Sequence, residues 1–576
     1  MRGWRAAAAA LAIVLALGCG GSGSTAGKGG AGGGSAGSAG TSASGGRGGN
    51  GASGTTGGGV AGTGGGVAGT GGGSGGGSGT TGGAGNAGGT GGSGGALAGR
   101  GGAGASGSSG AAGTSASGGT SGGTGGGAGS AGRGGSTGAG GGGTSGTGGT
   151  GTGGAAGTVV TAPMWDWTGV VGTGQSLSVG GHGNAPAMPI GATTQRFRNL
   201  KLSLGTATFP PFDPTNGMLS VVPLVETLRP ITTTYPSPYP RNIYGESYHT
   251  AMADQLSTSV MAGQNRDYIG VHTEVGEAGQ GIVVLQKGAT DTGTTGRAYA
   301  ATLFEVAAIA RLAKAQSKSY GVGAIVLTHG ESDAGSATFE ADMVKLWQSY
   351  NQDLPTLTGQ TWPIPMLVSQ QHSEPTNAGS TAASTAAQWR IGVDHPGEIV
   401  CTGPKYQYAY VNDNIHLTNP DYERLGEKYA EVMYQRVVLG KDWQPLQPTT
   451  VERSGRVITV HFHVPAAPMA WDAALPMPHQ TAFTEWAPGR GFEVRAGTTR
   501  IAISSVAIAA DSVQITCATD LPASGVFVAY AWTADGTIRP NGTVRWGQLH
   551  DTDAFVGSLS RAVQANYAIA FEMAVP

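Results

Sequence analysis

The sequence predicts an α/β fold, a three-layer α/β/α flavodoxin-like sandwich around a parallel sheet, followed by a smaller all-β sandwich domain. Three observations predict it. Between residues 159 and 447, short apolar runs alternate with longer segments that carry one apolar stripe at helical spacing. After residue 447 only short β-like runs remain, separated by Gly, Pro and Asp turns. Residues 20–158 hold almost nothing apolar to bury, so both folded parts must lie after them.

Residues 1–19 are predicted to be a targeting signal. Arg2 and Arg5 precede an apolar run over residues 6–17, and Gly18 and Cys19 follow. This order resembles a bacterial lipoprotein signal, which implies an exported protein anchored at the cell envelope through a lipidated Cys19. Gly20, where an aspartate would imply retention at the inner membrane, favours the outer membrane by the same resemblance. An ordinary secretory signal with a chance cysteine is the alternative.

Residues 20–158 are predicted to be a disordered linker made almost wholly of Gly, Ala, Ser and Thr. The chain has 111 Gly among its 576 residues, and most of them lie in this segment. So little apolar surface cannot offset the conformational entropy that folding removes. The linker either holds the folded part away from a membrane anchor or is a neutral expansion, and the sequence leaves both open.

The elements of the α/β part, residues 159–447, follow one another as a parallel sheet requires. Buried strands are predicted at 170–171, 268–272, 323–327, 365–369 and 399–402. Helices are predicted at 245–262, 297–316, 336–354, 381–391 and 420–438, the last with Thr418 or Asn419 as cap and Pro420 as its first residue. In such sheets the residues that follow the strands gather at the edge formed by the carboxyl ends of the strands, and catalytic residues are expected there.

The β part, residues 448–576, is predicted to have strands at 457–464, 492–495, 501–508, 513–516 and 526–532. This is typical of an accessory β-sandwich. Its larger aromatic residues either stack on sugars or pack in a core. They are Trp471, Trp486, Tyr530, Trp532 and Trp546.

Charge and cysteine usage exclude several classes of protein. Six of the 32 Lys and Arg residues precede residue 159, whereas all 34 Asp and Glu residues follow it, so the foldable part is acidic and nucleic acid is not expected as a partner. No later apolar stretch reaches transmembrane length. Cys401 and Cys517 are either buried free thiols or an interdomain disulfide. No cluster has the spacing of zinc ligands, and we expect no metal and no cofactor.

Two short motifs about 240 residues apart carry the chemistry. Gly172-Thr173-Gly174-Gln175-Ser176-Leu177-Ser178 ends an apolar run with a turn that can present a serine hydroxyl. Asp413-Asn414-Ile415-His416 places a carboxylate three residues before a histidine. A serine needs a base to become a nucleophile, and the base needs an orienting partner. Leu177 stands where a dinucleotide-binding motif needs its third glycine, which disfavours a nicotinamide cofactor.

These motifs, together with Gly279 and the run His329-Gly330-Glu331-Ser332-Asp333, resemble the SGNH hydrolase superfamily and within it the sialate O-acetylesterase-like carbohydrate esterases. The resemblance covers residues 165–438 and implies that Ser176 is the nucleophile, His416 the general base and Asp413 its orienting carboxylate. It implies an oxyanion hole made of the Ser176 and Gly279 amides and a side chain at position 329. Gln175 belongs to the same motif.

Position 329 departs from that pattern. The subgroup has Gln where this chain has His329, whose neutral imidazole can donate one N–H. Glu331 is expected to orient the loop or His416, and Asp333 to cap the following helix. Gly330 lies between them. We expect glycine at position 279 because a Cβ there would crowd the approach of the backbone to a substrate. An ordinary turn would also explain a glycine at this position.

The sequence therefore predicts a cofactor-independent serine esterase, an acetylesterase with a Ser-His-Asp triad. By resemblance its substrate is an O-acetylated carbohydrate, and the membrane is a partner only through the lipid anchor. A general short-chain or lipase-like esterase is the alternative within the enzyme class. A surface glycan-binding lipoprotein with an inactive site is the alternative from another class. The sequence does not give the sugar, the acyl group or the oligomeric state.

Overall fold

The computed structural model describes residues 162–181, 191–203, 212–228, 245–289 and 297–576. The predicted signal peptide, Cys19 and the predicted linker lie outside these residues, so the lipid anchor and the exported location stay predictions. None of the helices in these ranges is long and apolar enough to cross a membrane.

The α/β part consists of seven strands and five helices within the described ranges. The strands are β1 (Trp167–Gly174), β2 (Leu200–Leu202), β3 (Val221–Pro223), β4 (Gly270–Glu274), β5 (Tyr320–Thr328), β6 (Met366–Gln370) and β7 (Ile399–Pro404). The helices are α1 (Tyr248–Gln264), α2 (Ala298–Ala315), α3 (Phe339–Thr358), α4 (Ala383–Asp394) and α5 (Asn419–Met433), and a π-helical turn (Tyr434–Val438) extends α5.

The strands form one sheet in the order β3-β2-β4-β1-β5-β6-β7. All neighbours pair in parallel except β2 and β3, which pair antiparallel at the edge. The order β4-β1-β5-β6-β7 is that of a flavodoxin-like sheet, with its direction of winding reversing between β1 and β5. The predicted fold class is confirmed, with an antiparallel edge strand added to the parallel sheet.

Helices cover both faces of this sheet. One apolar cluster joins α1 and α5 to Val170, Val326 and Leu367. A second joins α2, α3 and α4 to Val171 and Ile325 on the opposite face. Because consecutive strand residues point to opposite faces, Val170 and Val171 serve the two layers in turn.

The β part begins with β8 (Gln447–Ser454) and β9 (Val457–His463), and its remaining strands are antiparallel. They are β10 (Met469–Trp471), β11 (Phe492–Ala496), β12 (Thr499–Arg500), β13 (Ile503–Ala509), β14 (Ser512–Cys517), β15 (Val526–Tyr530), β16 (Leu549–Asp551) and β17 (Phe571–Ala574). Two four-stranded sheets result, β13-β14-β9-β8 and β12-β11-β15-β17. The core of the β part is continuous with that of the α/β part, since Phe571 packs against Trp389 of α4.

Several predicted boundaries differ from the structure. Helix α1 begins three residues later than predicted because Ser247 caps it, accepting from the His249 backbone N–H. Helix α3 continues past Pro355 to Thr358 and ends at Gly359. Short or polar strands such as β2, β8 and β10 carry too weak an alternation to be recognised from sequence.

The burial of the aromatic residues and of the two cysteines decides between the alternatives that the sequence left open for them. Trp486, Tyr530 and Trp546 are buried and belong to the core, whereas Trp471 is half-buried beneath the Arg490 guanidinium. Cys401 and Cys517 are both buried free thiols.

A pair of carboxyl groups links α5 to the loop before α1. Glu246 accepts from the backbone N–H groups of Gly191 (2.7 Å) and Ala192 (3.0 Å), and the Glu423 carboxyl donates to it. Burial, together with the neighbouring Glu246 carboxylate, raises the pKa of Glu423 to about 8. The pair thus holds one proton near neutral pH, and that proton forms the bond between the two elements.

This pair makes the stability of the fold dependent on pH. Above about pH 4.5 the unfolded chain releases the Glu423 proton while the folded chain keeps it, so the contribution of this group to stability falls as the pH rises towards 8. We expect Glu423→Gln, which keeps a donor without the ionisation, to flatten the decline in the free energy of unfolding between pH 5 and 8. Urea titrations at several pH values measure this. Glu452→Gln, at an exposed position, serves as control; an equal flattening by both substitutions would contradict the assignment.

Candidate active site

Ser176 lies directly beyond the carboxyl end of β1, at the point where the winding of the sheet reverses. Strand β1 ends at Gly174, and a 3-10 helical turn runs from Ser176 to Val179. The Gln175 backbone N–H bonds to the Thr328 carbonyl at the end of β5 (3.2 Å), which fixes the turn between the two strands. The rival Ser178 is buried, and its hydroxyl donates to the Gln175 carbonyl at 2.7 Å. Ser178 is thus engaged within its own turn.

Asp413 and His416 lie on one tight hairpin between β7 and α5. Tyr410 and Leu417 close the hairpin as an antiparallel bridge, and the Val411 backbone N–H bonds to the His416 carbonyl at 2.9 Å. Asn414 occupies the left-handed region with φ of 58°, which asparagine tolerates better than most residues. The turn thereby folds the Asp413 carboxylate back towards His416.

The structure brings these three residues into one hydrogen-bonded chain. His416 Nδ1 lies 2.7 Å from Asp413 Oδ2, and His416 Nε2 lies 2.6 Å from Ser176 Oγ. Asp413 Oδ1 also accepts from the backbone N–H groups of Ile415 and His416, each at 2.9 Å. This is the arrangement in which a neutral imidazole removes the proton from a serine hydroxyl.

The charge of Asp413 is fixed by its surroundings. Burial by itself would raise the pKa of this carboxyl, but the His416 ring and the backbone N–H groups of His416 and Ile415 outweigh it and hold the pKa well below its ordinary value. Asp413 is therefore ionised throughout the neutral range, and its carboxylate keeps the Nδ1 proton of His416 in place.

The close approach of His416 to Ser176 depends on Gly181. A Cβ on this residue would lie 2.7 Å from His416 Cδ2 and 2.9 Å from Nε2. The Gly181 backbone N–H bonds to the Ser176 carbonyl at 2.8 Å, and its own carbonyl accepts from the Tyr422 hydroxyl at 2.8 Å. Tyr422, which is buried on α5, therefore ties the serine turn to the helix that follows His416.

The loop after β4 is pinned beside the serine turn. The backbone N–H groups of Val275 and Glu277 bond to the Gly172 carbonyl (3.0 Å) and the Gly174 carbonyl (2.9 Å). Gly276 packs directly on the turn, where an added Cβ would lie 2.9 Å from the Gly174 carbonyl oxygen. Gly279 has a φ of +69°, which favours glycine as the turn alternative implies, and an added Cβ would meet no protein atom within 4 Å. Crowding of a substrate by a Cβ on Gly279 therefore stays a prediction, and the glycine that packs closely on the protein itself is Gly276.

His329 follows β5, but its ring bonds to the protein. The ring is buried, stacks on Phe339, and places Nε2 3.0 Å from the Gln280 carbonyl oxygen. Burial lowers the pKa of His329, opposed by the carboxylates of Asp333 and Glu331, so the ring is neutral and its Nε2–H donates to Gln280. This geometry makes His329 a support of the Gly279 loop, while direct donation to an oxyanion stays a prediction.

Asp333 does not cap the following helix. Helix α3 begins six residues later, with Thr338 as its cap residue. The Asp333 carboxylate instead accepts from the backbone N–H of Ile282 at 2.7 Å, at the start of a 3-10 turn, and lies 3.4 Å from His329 Nδ1. Asp333 and His329 thus fasten the same loop after β4.

Glu331 forms a buried ion pair that the sequence did not indicate. Its Oε1 lies 2.7 Å from the Nζ of Lys405, which follows β7 and has no exposed surface. Gln175 Oε1 accepts from the Ser332 backbone N–H at 3.2 Å, which joins the same loop to the serine turn. Gly330 has φ of +129°, and an added Cβ would lie 2.7 Å from Gln388 Nε2. Glu331 therefore joins its loop to Lys405, and its role in orienting the loop of the site stays a prediction.

Four residues near the site were missed from sequence: Gly181, Gly276, Lys405 and Tyr422. A lysine directly after a buried strand is an unusual pattern that marks a paired cation, and it could have identified Lys405. The two glycines and Tyr422 leave no such signal. Within the described ranges, no group of three or more His, Cys, Asp or Glu side chains is arranged to hold a metal ion.

No protein-family model matches the chain, and no curated protein sequence is similar to it. Solved structures with similarity to it include XAC1771, a carbohydrate acetylesterase from Xanthomonas citri, at 12% identity and a TM-score of 0.45 over 70% of this chain and 80% of that one. Est24, a carbohydrate acetylesterase from Sinorhizobium meliloti, is 13% identical with a TM-score of 0.24, covering 46% and 97%. NanS is 12% identical with a TM-score of 0.28, covering 48% and 98%. At these values the similarity identifies neither a family nor a reaction.

Covalent labelling distinguishes the two serines of the turn. A fluorophosphonate reacts with serines that an imidazole activates, so we expect the protein to be labelled at Ser176 and Ser176→Ala to remain unlabelled. Ser178→Ala is the matched control and should label like the unmodified protein. Peptide mass spectrometry identifies the modified residue, and label on Ser178 would contradict the assignment.

The contact between Gly181 and His416 gives a second test. Gly181→Ala should push the imidazole away from Ser176 Oγ and slow fluorophosphonate labelling by about 100-fold, since a displacement near 1 Å has effects of that order. Gly335→Ala, where an added Cβ meets nothing within 4 Å, should leave the rate unchanged. Equal labelling rates for the two variants would contradict the inference that the close contact between Gly181 and His416 controls the reactivity of Ser176.

Proposed function

We propose that this protein is a serine esterase that removes O-acetyl or other short acyl groups from carbohydrate through an acyl-enzyme intermediate. The observation that carries the proposal is the hydrogen-bonded chain from Asp413 through His416 to Ser176, with distances of 2.7 and 2.6 Å. The carbohydrate part rests on the sequence resemblance to sialate O-acetylesterase-like enzymes.

In the proposed first half-reaction, Ser176 Oγ attacks the ester carbonyl carbon while His416 Nε2 takes the hydroxyl proton. The imidazolium that forms is stabilised by the ionised Asp413. The carbonyl oxygen becomes an oxyanion, for which we propose the backbone N–H groups of Ser176 and Gly279 as donors; His329 would join them only if its single N–H left the Gln280 carbonyl. His416 then gives its proton to the leaving sugar hydroxyl, and the acyl group stays on Ser176.

The second half-reaction restores the serine. His416 takes a proton from a water molecule, whose oxygen attacks the acyl carbonyl, and the tetrahedral intermediate collapses with return of that proton to Ser176 Oγ. The products are the free carboxylic acid and the unmodified enzyme. Every proton passes through His416 Nε2. The hydrogen bond that Asp413 accepts from Nδ1 must therefore keep a proton on Nδ1 throughout the reaction.

Acetate release tests the proposal. The protein is expected to release acetate from acetylated xylan, acetylated sialic acid or a chromogenic acetate ester. Ser176→Ala should reduce release to background, and Asp413→Asn should lower kcat by about 10³- to 10⁴-fold because the imidazole loses its fixed tautomer. The ranking of the three substrates separates a carbohydrate esterase from a general short-chain esterase. Binding of acetylated glycan without release, unchanged in Ser176→Ala, would favour a glycan-binding protein instead.

A further inference from the structure

The β part contributes a loop, residues 535–544, that contacts the segment leading into the catalytic hairpin; we call it the Arg539 loop. It closes on itself through bonds from the Asp535 backbone N–H to the Val544 carbonyl (2.8 Å) and from the Arg539 backbone N–H to the Thr543 carbonyl (3.1 Å). The segment it meets is 405–410, which connects β7 to Tyr410, the first residue of the hairpin bridge.

Segment 405–410 forms neither a strand nor a helix, so its backbone groups have no regular ladder of hydrogen bonds. Arg539 does so from the β part: its Nη2 lies 2.7 Å from the Tyr406 carbonyl oxygen and 2.8 Å from the Tyr408 carbonyl oxygen. The Asn541 carbonyl accepts from the Tyr410 backbone N–H at 2.9 Å. Three backbone groups in five consecutive residues therefore bond to one loop of the other domain.

The guanidinium is built into this position. Arg539 is 8% exposed, and it crosses beneath its own loop where a Cβ on Gly542 would lie 2.7 Å from Nη2. Tyr406 and Tyr408 are fully buried around it. A buried carbonyl without a donor is unfavourable, so removing the guanidinium would leave two such groups in the segment.

This segment determines where His416 lies. Tyr410 pairs with Leu417, and the Ala409 carbonyl accepts from the Thr418 backbone N–H at 3.0 Å. The positions of residues 409 and 410 therefore fix both ends of the hairpin that carries Asp413 and His416. A shift of the segment would move the imidazole relative to Ser176, which is anchored separately on β1 and β5.

We propose that Arg539 is a positioning residue for the esterase reaction, and that the β domain uses it to hold the Asp413–His416 hairpin in register with Ser176. This inference rests on the proposed function for its kinetic consequences. It gives the β domain a role in catalysis that does not require it to contact the substrate.

Arg545 offers a matched control for the experiment. It is also a buried arginine of the β part, and its guanidinium also donates to two backbone carbonyls of the α/β part, those of Glu374 and Pro375 (3.0 Å to Pro375). Those carbonyls follow β6 and belong to a different segment from 405–410. Arg539→Met and Arg545→Met therefore remove equivalent interdomain bonds, and only the first removes bonds to segment 405–410.

The experiment compares kcat, KM and thermal unfolding of the full chain and both variants with the chromogenic acetate ester. We expect Arg539→Met to lower kcat by about 10- to 100-fold with KM changed less than about threefold, and Arg545→Met to retain kcat although both variants lose stability. Arg539→Lys, which keeps the charge and one bond, should give an intermediate kcat and remains measurable if Arg539→Met does not fold. An unchanged kcat in Arg539→Lys and Arg539→Met, or equal losses in Arg539→Met and Arg545→Met, would overturn the proposal.

A second readout does not require turnover. The proton between Asp413 and His416 Nδ1 should give a low-field proton NMR signal, absent in Asp413→Asn. We expect Arg539→Met to shift or broaden this signal and Arg545→Met to leave it in place. If the unmodified protein hydrolyses no ester yet shows this pattern, the proposed function fails while the positioning role stands. An unperturbed signal in Arg539→Met would overturn the positioning role.

Discussion

The hydrogen bond between Ser176 and His416 joins residues that are 240 positions apart, and the arrangement of the α/β part serves to bring them within 2.6 Å. The serine turn is held by the two central strands, β1 and β5, at the edge where the winding of the sheet reverses. The hairpin that carries His416 reaches that edge from β7. The serine turn is thus held by β1 and β5, and the hairpin follows β7. The site forms only where the turn and the hairpin meet.

Close contact at this edge requires small residues and buried polar links. Gly181 allows the imidazole to reach the serine, and Gly276 allows the loop after β4 to lie on the same turn. The Glu331–Lys405 ion pair joins the loop after β5 to the segment after β7. A buried ion pair is weak evidence for stability, since desolvation offsets much of the attraction, but its directional bonds fix the relative position of two loops. That is the property that a preorganised site requires.

Much of the fold followed from periodicity, and parts of the site followed from motif chemistry. The helix over Ala298–Ala315 and the strand over Tyr320–Thr328 are strongly patterned, so their existence could be predicted within a few residues. His329 shows the opposite case. Its place after β5 was predictable, but the direction of its Nε2–H towards the Gln280 carbonyl depends on how the loop after β4 folds, which no local pattern records.

The sequence by itself determined the order of the helices and of the longer apolar strands, and it indicated Ser176, Asp413 and His416 as candidates, because alternation of apolar residues and short motifs are local properties of the chain. Only the tertiary structure decided which glycines lie at close contacts, that Lys405 pairs with Glu331, and that Arg539 of the β domain binds the Tyr406 and Tyr408 carbonyls. These interactions join residues more than 70 positions apart, and their partners are chosen by the packing of whole elements. A residue's type limits what it can bond to, but the fold decides what lies within reach.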